Sequence, residues 1–109
     1  MKVCDIAEKL SLKPLSLADS SREVTGGYIG DLLSWVMGRA ESGDAWITIM
    51  SNINIVAVAS LADVACIILA EGVVPDENVC TTALQKGINI FTSDKTAYVL
   101  ATELAQYLQ

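Results

Sequence analysis

This sequence of 109 residues has no histidine, few basic residues and few aromatic ones. Without histidine, the chain lacks the commonest general base and the commonest side-chain ligand for transition metals. Thirteen acidic residues outnumber seven basic ones, which gives a net charge of −6. Nucleic acids and anionic membranes are bound by basic surfaces. We therefore expect no nucleic-acid partner, no membrane association and no metal site.

The cysteines are also few and give no sign of a shared role. Cys4, Cys66 and Cys80 are odd in number and form no C-x-x-C pair, so neither a disulfide framework nor a zinc site is indicated. Buried free thiols suit a reducing compartment, and we expect a cytoplasmic protein. The longest apolar region, residues 53–70, is interrupted by three polar side chains and is too polar to span a bilayer.

Apolar residues are abundant, at 52%, whereas only 18% of residues are charged. A chain of this length and composition predicts one folded domain, residues 1–109, with a substantial core. Apolar side chains at Val3, Ile6 and Leu10 have helical spacing. Residues 12–17 contain a proline and are typical of a short edge segment. We expect this N-terminal helix and edge segment, residues 1–21, to precede a domain core over about residues 22–108.

From residue 45 onward, the sequence alternates between strand and helix patterns. Residues 53–61 also fit a strand that pairs back as a hairpin, but the alternation around them favours a buried helix whose cap is Asn52. The pattern predicts an α/β fold with a βαβαβα core, in which helices pack on a small parallel sheet of about three to four strands. The predicted elements are strand 45–50, helix 53–61, strand 64–69, a helix after Pro75 and Asp76, strand 88–91, and a final helix that Ser93 or Asp94 caps.

The most informative segment places Gly26, Gly27 and Gly30 directly before an amphipathic helix, for which Asp31 is the predicted N-cap. Two interpretations fit these glycines. Their backbone N–H groups could form an anion-binding loop, or the glycines could form a tight turn that needs positive φ. The chain contains no Gly-Lys-Ser or Gly-Lys-Thr, so a phosphate-binding P-loop of the kinase type is excluded.

Other candidate ligand-binding residues come from the topology, because ligands of parallel sheets bind beyond the carboxyl ends of the strands. No spacing marks a nucleophile beside a base, so we expect no catalytic residue and no cofactor. The candidate ligand-binding residues are Thr25, Gly26, Gly27, Tyr28, Asp31, Ser51, Asn52, Thr92, Ser93 and Asp94.

Two features predict self-association. Trp35 lies off the apolar stripe of its helix, and residues 53–61 are apolar on nearly every face of a helix. Apolar surface of this kind is typical of an interface, and we expect a homodimer. The candidate interface residues are Trp35, Ile53, Ile55, Val56 and Ala59.

The run Val24-Thr25-Gly26-Gly27-Tyr28, followed by Asp31-Leu32-Leu33-Ser34, resembles the DRTGG domain, as does the closing Gly87-Ile88-Asn89-Ile90-Phe91-Thr92-Ser93. The resemblance implies an α/β fold like the N-terminal domain of HPr kinases, and a domain that dimerises and helps to shape a regulatory site for an adenine nucleotide. Such domains occur in CBS-domain pyrophosphatases, in phosphotransacetylase-like proteins and as small stand-alone bacterial proteins.

One residue departs from the motif for which this family is named. Val24 stands where the family has arginine, and valine cannot replace the bidentate phosphate contact of a guanidinium. The missing charge would then come from Arg22, from the helix end at Asp31 or from a partner chain.

Our leading hypothesis is a non-enzymatic regulatory module that acts as a homodimer and senses an adenine nucleotide. The alternative is a protein–protein adaptor that binds an unidentified partner protein and no small molecule. An enzyme is the third hypothesis, and the residues favour it least.

Overall fold

The computed structural model describes residues 1–108, and within them the chain forms five helices and five strands. Strands and helices alternate through most of the chain. In order, the elements are α1 (Val3–Lys9), β1 (Lys13–Ser16), β2 (Gly26–Ile29), α2 (Leu33–Arg39), β3 (Asp44–Thr48), α3 (Asn54–Ala62), β4 (Cys66–Leu69), α4 (Glu77–Gln85), β5 (Ile90–Thr92) and α5 (Ala97–Tyr107).

All five strands belong to one sheet, in the order β1-β5-β4-β3-β2. The last four strands of the chain run parallel, and β1 runs antiparallel along β5. The α/β class is confirmed, but the predicted three to four strands are too few. The expected edge segment is a paired strand, with Pro14 at the outer edge of the sheet, and the glycine segment supplies β2, which the sequence did not indicate because glycine has low strand propensity.

The helices cover both faces of the sheet. Because β2, β3, β4 and β5 follow one another in space as in sequence, right-handed crossovers place α2, α3 and α4 on the same face. These helices contribute Val36, Ile55 and Val79 to one buried cluster. On the other face, α1 and α5 contribute Ile6 and Leu104 to a second cluster. The sheet is therefore the middle of three layers.

The side chains of β4 show why the strand has a continuous apolar sequence. Cys66 and Ile68 point into the cluster beneath α1 and α5, whereas Ile67 and Leu69 point into the cluster beneath α2, α3 and α4. Both faces of the strand are buried, so polar residues cannot alternate with apolar ones.

Two predictions about helix starts have different outcomes. Residues 53–61 do form a helix, but its N-cap position is Ile53, one residue after the predicted Asn52; the Asn52 side chain still contacts the start of α3, because its Oδ1 accepts a hydrogen bond from Asn54 N at 2.9 Å. The predicted cap of α5 is wrong. Thr96, not Ser93 or Asp94, is the N-cap, and its hydroxyl oxygen accepts from Val99 N at 3.2 Å.

Asn89 fixes the loop that follows β1. Its side chain is almost fully buried and makes hydrogen bonds with the backbone of Ala18 and Asp19 on one side and with Ala65 O on the other. A buried amide is stable only when its donors and acceptors are paired, and here all the bonds are to backbone groups. Asn89 therefore joins the loop to the amino edge of the sheet.

Candidate functional site

An open cleft of about 330 Å³ lies between β2 and α5 at the edge of the sheet; we call it the β2–α5 cleft. It brings together four predicted ligand-binding residues, because Thr25, Gly26, Gly27 and Tyr28 all line it. The helix α5 covers β2 only in part, so Ile29 remains 50% exposed. The remaining lining residues are Ile29, Ile47, Ala101, Leu104, Ala105 and Leu108.

The glycine pair of this cleft lies inside a strand. Gly26 and Gly27 pair with Asp44 and Ala45 of β3, and neither has positive φ. The predicted turn is therefore wrong. The loop interpretation fails with it, because successive N–H groups of an extended strand alternate in direction and do not converge on one anion.

The glycines leave room for side chains of neighbouring elements. A Cβ atom added to Gly26 would lie 2.7 Å from Asp44 Oδ1, and one added to Gly27 would lie 2.9 Å from Leu104 Cδ2. Both separations are too short for any side chain without movement of the neighbour. Gly26 therefore admits the buried Asp44 carboxylate, and Gly27 lets α5 approach the strand.

Thr25 supplies a hydroxyl group to the cleft. Its backbone N–H donates to Gly43 O at 3.0 Å, and its Oγ1 donates to Ser42 O at 3.4 Å. Gly43 has φ +87°, and a Cβ atom there would collide with Thr25 Oγ1. Thr25 is therefore held against the turn before β3. Of the described residues that line the cleft, only Thr25 and Tyr28 carry a side-chain hydroxyl.

Among residues 1–108, no charged side chain replaces the family's arginine at this cleft. Val24 is 2% exposed and belongs to the buried cluster beneath α1 and α5. Arg22 does not line the cleft either: its guanidinium donates to Asp63 Oδ1 at 3.1 Å and to Asp63 O at 2.9 Å. The hydrogen bond from Arg22, and then that from Ser42, hold the pKa of Asp63 below its usual value. Arg22 therefore joins the end of α3 to the segment before β2.

Asp31 does not cap α2, so this prediction is also wrong. The N-cap position is Leu32, without a side-chain hydrogen bond, and Asp31 Oδ1 accepts from Thr48 Oγ1 at 2.8 Å and from Ile49 N at 3.0 Å. The end of β3 offers two donors at once, which outweighs a single exposed bond to the helix. Asp31 thus links the carboxyl ends of β2 and β3.

The other candidate ligand-binding residues lie elsewhere. Thr92, Ser93 and Asp94 line a second cleft, of about 380 Å³, beyond the carboxyl end of β5. Ser51 and Asn52, in the loop before α3, line neither cleft. Two strands separate β2 from β5, so at about 4.8 Å per strand step these two strands are about 14 Å apart across the sheet. The ten candidates therefore do not form one site.

The candidate interface residues divide by burial. Trp35 is 54% exposed and Ile53 is 41% exposed. The guanidinium of Arg39 lies 4.0 Å from the centre of the Trp35 ring, in cation–π contact. Ile55, Val56 and Ala59 are instead buried in the chain's own core, beneath α2, α3 and α4. Of the five candidates, only Trp35 and Ile53 present substantial surface to another molecule.

Sequence reasoning missed that α5 forms the wall of the cleft. The spacing of Ala101, Leu104 and Ala105 indicates one face of a helix, but nothing in that spacing connects the helix with the glycine segment. The connection depends on β2 being a strand at the edge of the sheet. The usable signal was the pair of alanines four residues apart, because small residues at that spacing leave room on one helix face.

Residues 1–108 contain no group of three or more His, Cys, Asp or Glu side chains placed to hold a metal ion. Burial raises the pKa of the Cys66 thiol to about 12, which keeps it protonated and unreactive at neutral pH. In the same part of the chain, no helix is long and apolar enough to cross a membrane.

A three-layer α/β domain with an open cleft at its sheet edge defines a small domain suited to binding. More specifically, the DRTGG domain matches residues 5–107, and the chain belongs to the DRTGG family. A similar solved structure is that of the CBS and DRTGG domains of the regulatory region of Clostridium perfringens pyrophosphatase, complexed with its activator diadenosine tetraphosphate.

That structure has a TM-score of 0.73 and 14% sequence identity to this chain, and the match covers 96% of this chain and 46% of the other. At this identity the likeness shows the fold alone. This chain thus corresponds to less than half of the regulatory region with which it was compared. No curated protein sequence matches the chain.

Proposed function

We propose that this chain is a non-enzymatic regulatory domain, acting as a homodimer, that binds an adenine nucleotide in the β2–α5 cleft. One observation carries the proposal: the residues of the family motif, Thr25, Gly26 and Gly27, line an open cleft against α5. The pyrophosphatase region of the same fold is complexed with an adenine dinucleotide, which motivates the choice of ligand.

The proposal treats residues 1–109 as one cytoplasmic domain without catalytic activity. The N-terminal helix α1 supports a single unit, because its Val3 and Ile6 share a buried cluster with Leu100 and Leu104 of α5. The absence of catalysis rests on the lack of histidine in the sequence and on the protonated state of the buried Cys66 thiol.

The cleft can be tested by NMR titration of the labelled protein with AMP, ATP and diadenosine tetraphosphate. We expect amide shifts at residues 25–29 and at Ala101 and Ala105. Ala105→Leu should fill the cleft and remove those shifts. Gln106→Leu is the matched control, because it puts the same side chain on an exposed position of α5 that does not line the cleft. No shift at millimolar ligand would refute the nucleotide proposal.

The homodimer rests on exposed apolar side chains that would be covered by a second copy, among them Trp35 and Ile53. Sedimentation velocity should show a dimer for the wild type and a shift toward monomer for Trp35→Ala. Tyr98→Ala is the control, because Tyr98 is a 78% exposed aromatic residue on a different helix. A monomeric wild type at micromolar concentration would contradict the dimer.

A groove between α3 and α4 favours the second candidate function, that of a protein–protein adaptor. It measures about 400 Å³ and is lined by Ile53, Leu61 and Lys86 among others, with Leu61 72% exposed. An adaptor would show no nucleotide-induced shift at the β2–α5 cleft, and Leu61→Arg would abolish binding to its unidentified partner protein.

A further inference from the structure

The lining of the β2–α5 cleft is uncharged. The sequence has seven lysine and arginine residues, and none of them is among the described residues that line the cleft. Arg22 is held by Asp63, and Lys95 Nζ donates to Glu103 at 2.8 Å and to Leu10 O at 3.1 Å. Charge-assisted hydrogen bonds of the kind that phosphates need have no donor side chain at this place.

The size of the cleft also limits the ligand. Its volume of about 330 Å³ lies near the lower end of the range of small-molecule pockets, about 300–1,000 Å³. The cleft has room for one nucleoside and not for two. The lining provides apolar surface from the exposed Ile29 and the partly exposed Leu108, and small side chains from Ala101 and Ala105, which suits a flat heterocyclic ring.

The rim of the cleft supplies hydrogen-bonding groups from the backbone. Gly30 N donates to Ile47 O of β3 at 3.2 Å, and in a parallel pair alternate residues turn their backbone groups to the same neighbour. The N–H and C=O groups of Gly27 and Ile29 therefore face away from β3, where no other strand of the described chain lies. A row of alternating donors and acceptors can pair with the edge of a purine base.

We infer that the cleft recognises the nucleoside part of its ligand, base and ribose, and leaves the phosphates in solvent. This inference rests on the proposed nucleotide-binding function and narrows its ligand class. The net charge of −6 then repels each added phosphate. Adenosine should bind at least as tightly as ATP, and salt should strengthen ATP binding by screening the repulsion, the opposite of what a cationic phosphate site shows.

Calorimetric titration of the full chain with adenosine, AMP and ATP at low and high salt tests this inference. We expect adenosine and AMP to agree within about threefold, because no charged contact separates them. ATP should bind more weakly, and its affinity should rise with salt. Thr25→Val should weaken all three ligands by a similar factor, because the inference places only their shared nucleoside against the lining to which Thr25 belongs.

The outcomes separate this inference from the function on which it depends. If ATP binds more than about tenfold tighter than adenosine, and its affinity falls with salt, the inference is wrong while nucleotide binding stands. If AMP binds and adenosine does not, the inference is likewise overturned. If none of the three ligands binds at millimolar concentration, the nucleotide proposal fails and the inference fails with it.

Discussion

Replacing Asn89 with alanine should remove a large part of the stability of this domain. The Asn89 side chain is 2% exposed and makes four hydrogen bonds, all to backbone groups. Its Oδ1 accepts from Ala18 N at 2.9 Å and from Asp19 N at 2.8 Å. Its Nδ2 donates to Asp19 O at 2.8 Å and to Ala65 O at 3.0 Å.

The expected loss of stability depends on how deeply each of the four hydrogen bonds is buried. The bond to Ala65 O is buried, so its loss leaves a carbonyl without a partner at a cost of about 1–3 kcal/mol. The three bonds to Ala18 and Asp19 are partly buried, so water can replace Asn89 there and each is worth about 0.5–1 kcal/mol. We expect a total loss of about 4 kcal/mol, which is a large fraction of the 5–15 kcal/mol typical of folded domains.

Urea unfolding followed by circular dichroism measures this loss. The matched control is Asn52→Ala, which removes one exposed bond to Asn54 N and should cost about 1 kcal/mol. If Asn89→Ala costs no more than the control, the reasoning is refuted.

A second variant tests the donors alone. Asn89→Asp keeps the shape, but as a carboxylate it cannot donate to Asp19 O and Ala65 O. Burial should raise the folded-state pKa of the new carboxyl group above its unfolded value. This variant should therefore regain stability as the pH falls, because the protonated form can donate one hydrogen bond. A stability difference from the wild type that does not change with pH would contradict this account.

Three further predictions concern other parts of the chain. Arg22 holds the pKa of Asp63 below its usual 3.8, so this ion pair stabilises the fold above that pH and the stabilisation is lost at lower pH. Urea unfolding should show that Asp63→Asn lowers the free energy of unfolding at neutral pH and that the difference from wild type shrinks below pH 3.8. A difference that does not change with pH would contradict this prediction. Iodoacetamide should label the exposed Cys4 in the native protein and should leave the buried Cys66 unlabelled until urea unfolds the chain. Mass spectrometry measures the labelling, and equal labelling rates for the two thiols would contradict the burial of Cys66. Thr96→Ala should cost about 1 kcal/mol in urea unfolding by removing the cap of α5, and no loss would mean that the hydroxyl does not cap the helix.

The central strands and helices could be predicted from the sequence because burial determines their pattern. β4 is buried on both faces and therefore has an uninterrupted apolar sequence, and α3 is too apolar for an exposed loop. The position of Asn52 at the start of α3 was also predictable to within one residue, since its side chain bonds to a backbone N–H only two residues away. In each case the deciding contacts are local or depend only on the amount of apolar surface.

The caps at Asp31 and Ser93 could not be predicted for the opposite reason. The carboxylate of Asp31 has a choice between the first turn of α2 and the end of β3, and the sequence does not show how close β3 lies. Ser93 Oγ instead accepts from Lys95 N, which closes a turn just before the helix. A polar residue near a helix start thus predicts a hydrogen bond to a nearby backbone group more reliably than it predicts which group.

The glycine motif shows how a distant contact can reverse a local interpretation. Glycine pairs are common in turns, so the motif alone favours a turn. In the fold, Gly26 and Gly27 lie against the side chains of Asp44 in β3 and Leu104 in α5, which would have to move to admit a Cβ atom. The same close approach of α5 forms one wall of the cleft, and Val24 turns into the core beside it. The motif therefore defines the shape of the cleft through the absence of side chains, and any charge that a ligand needs must come from outside the described lining.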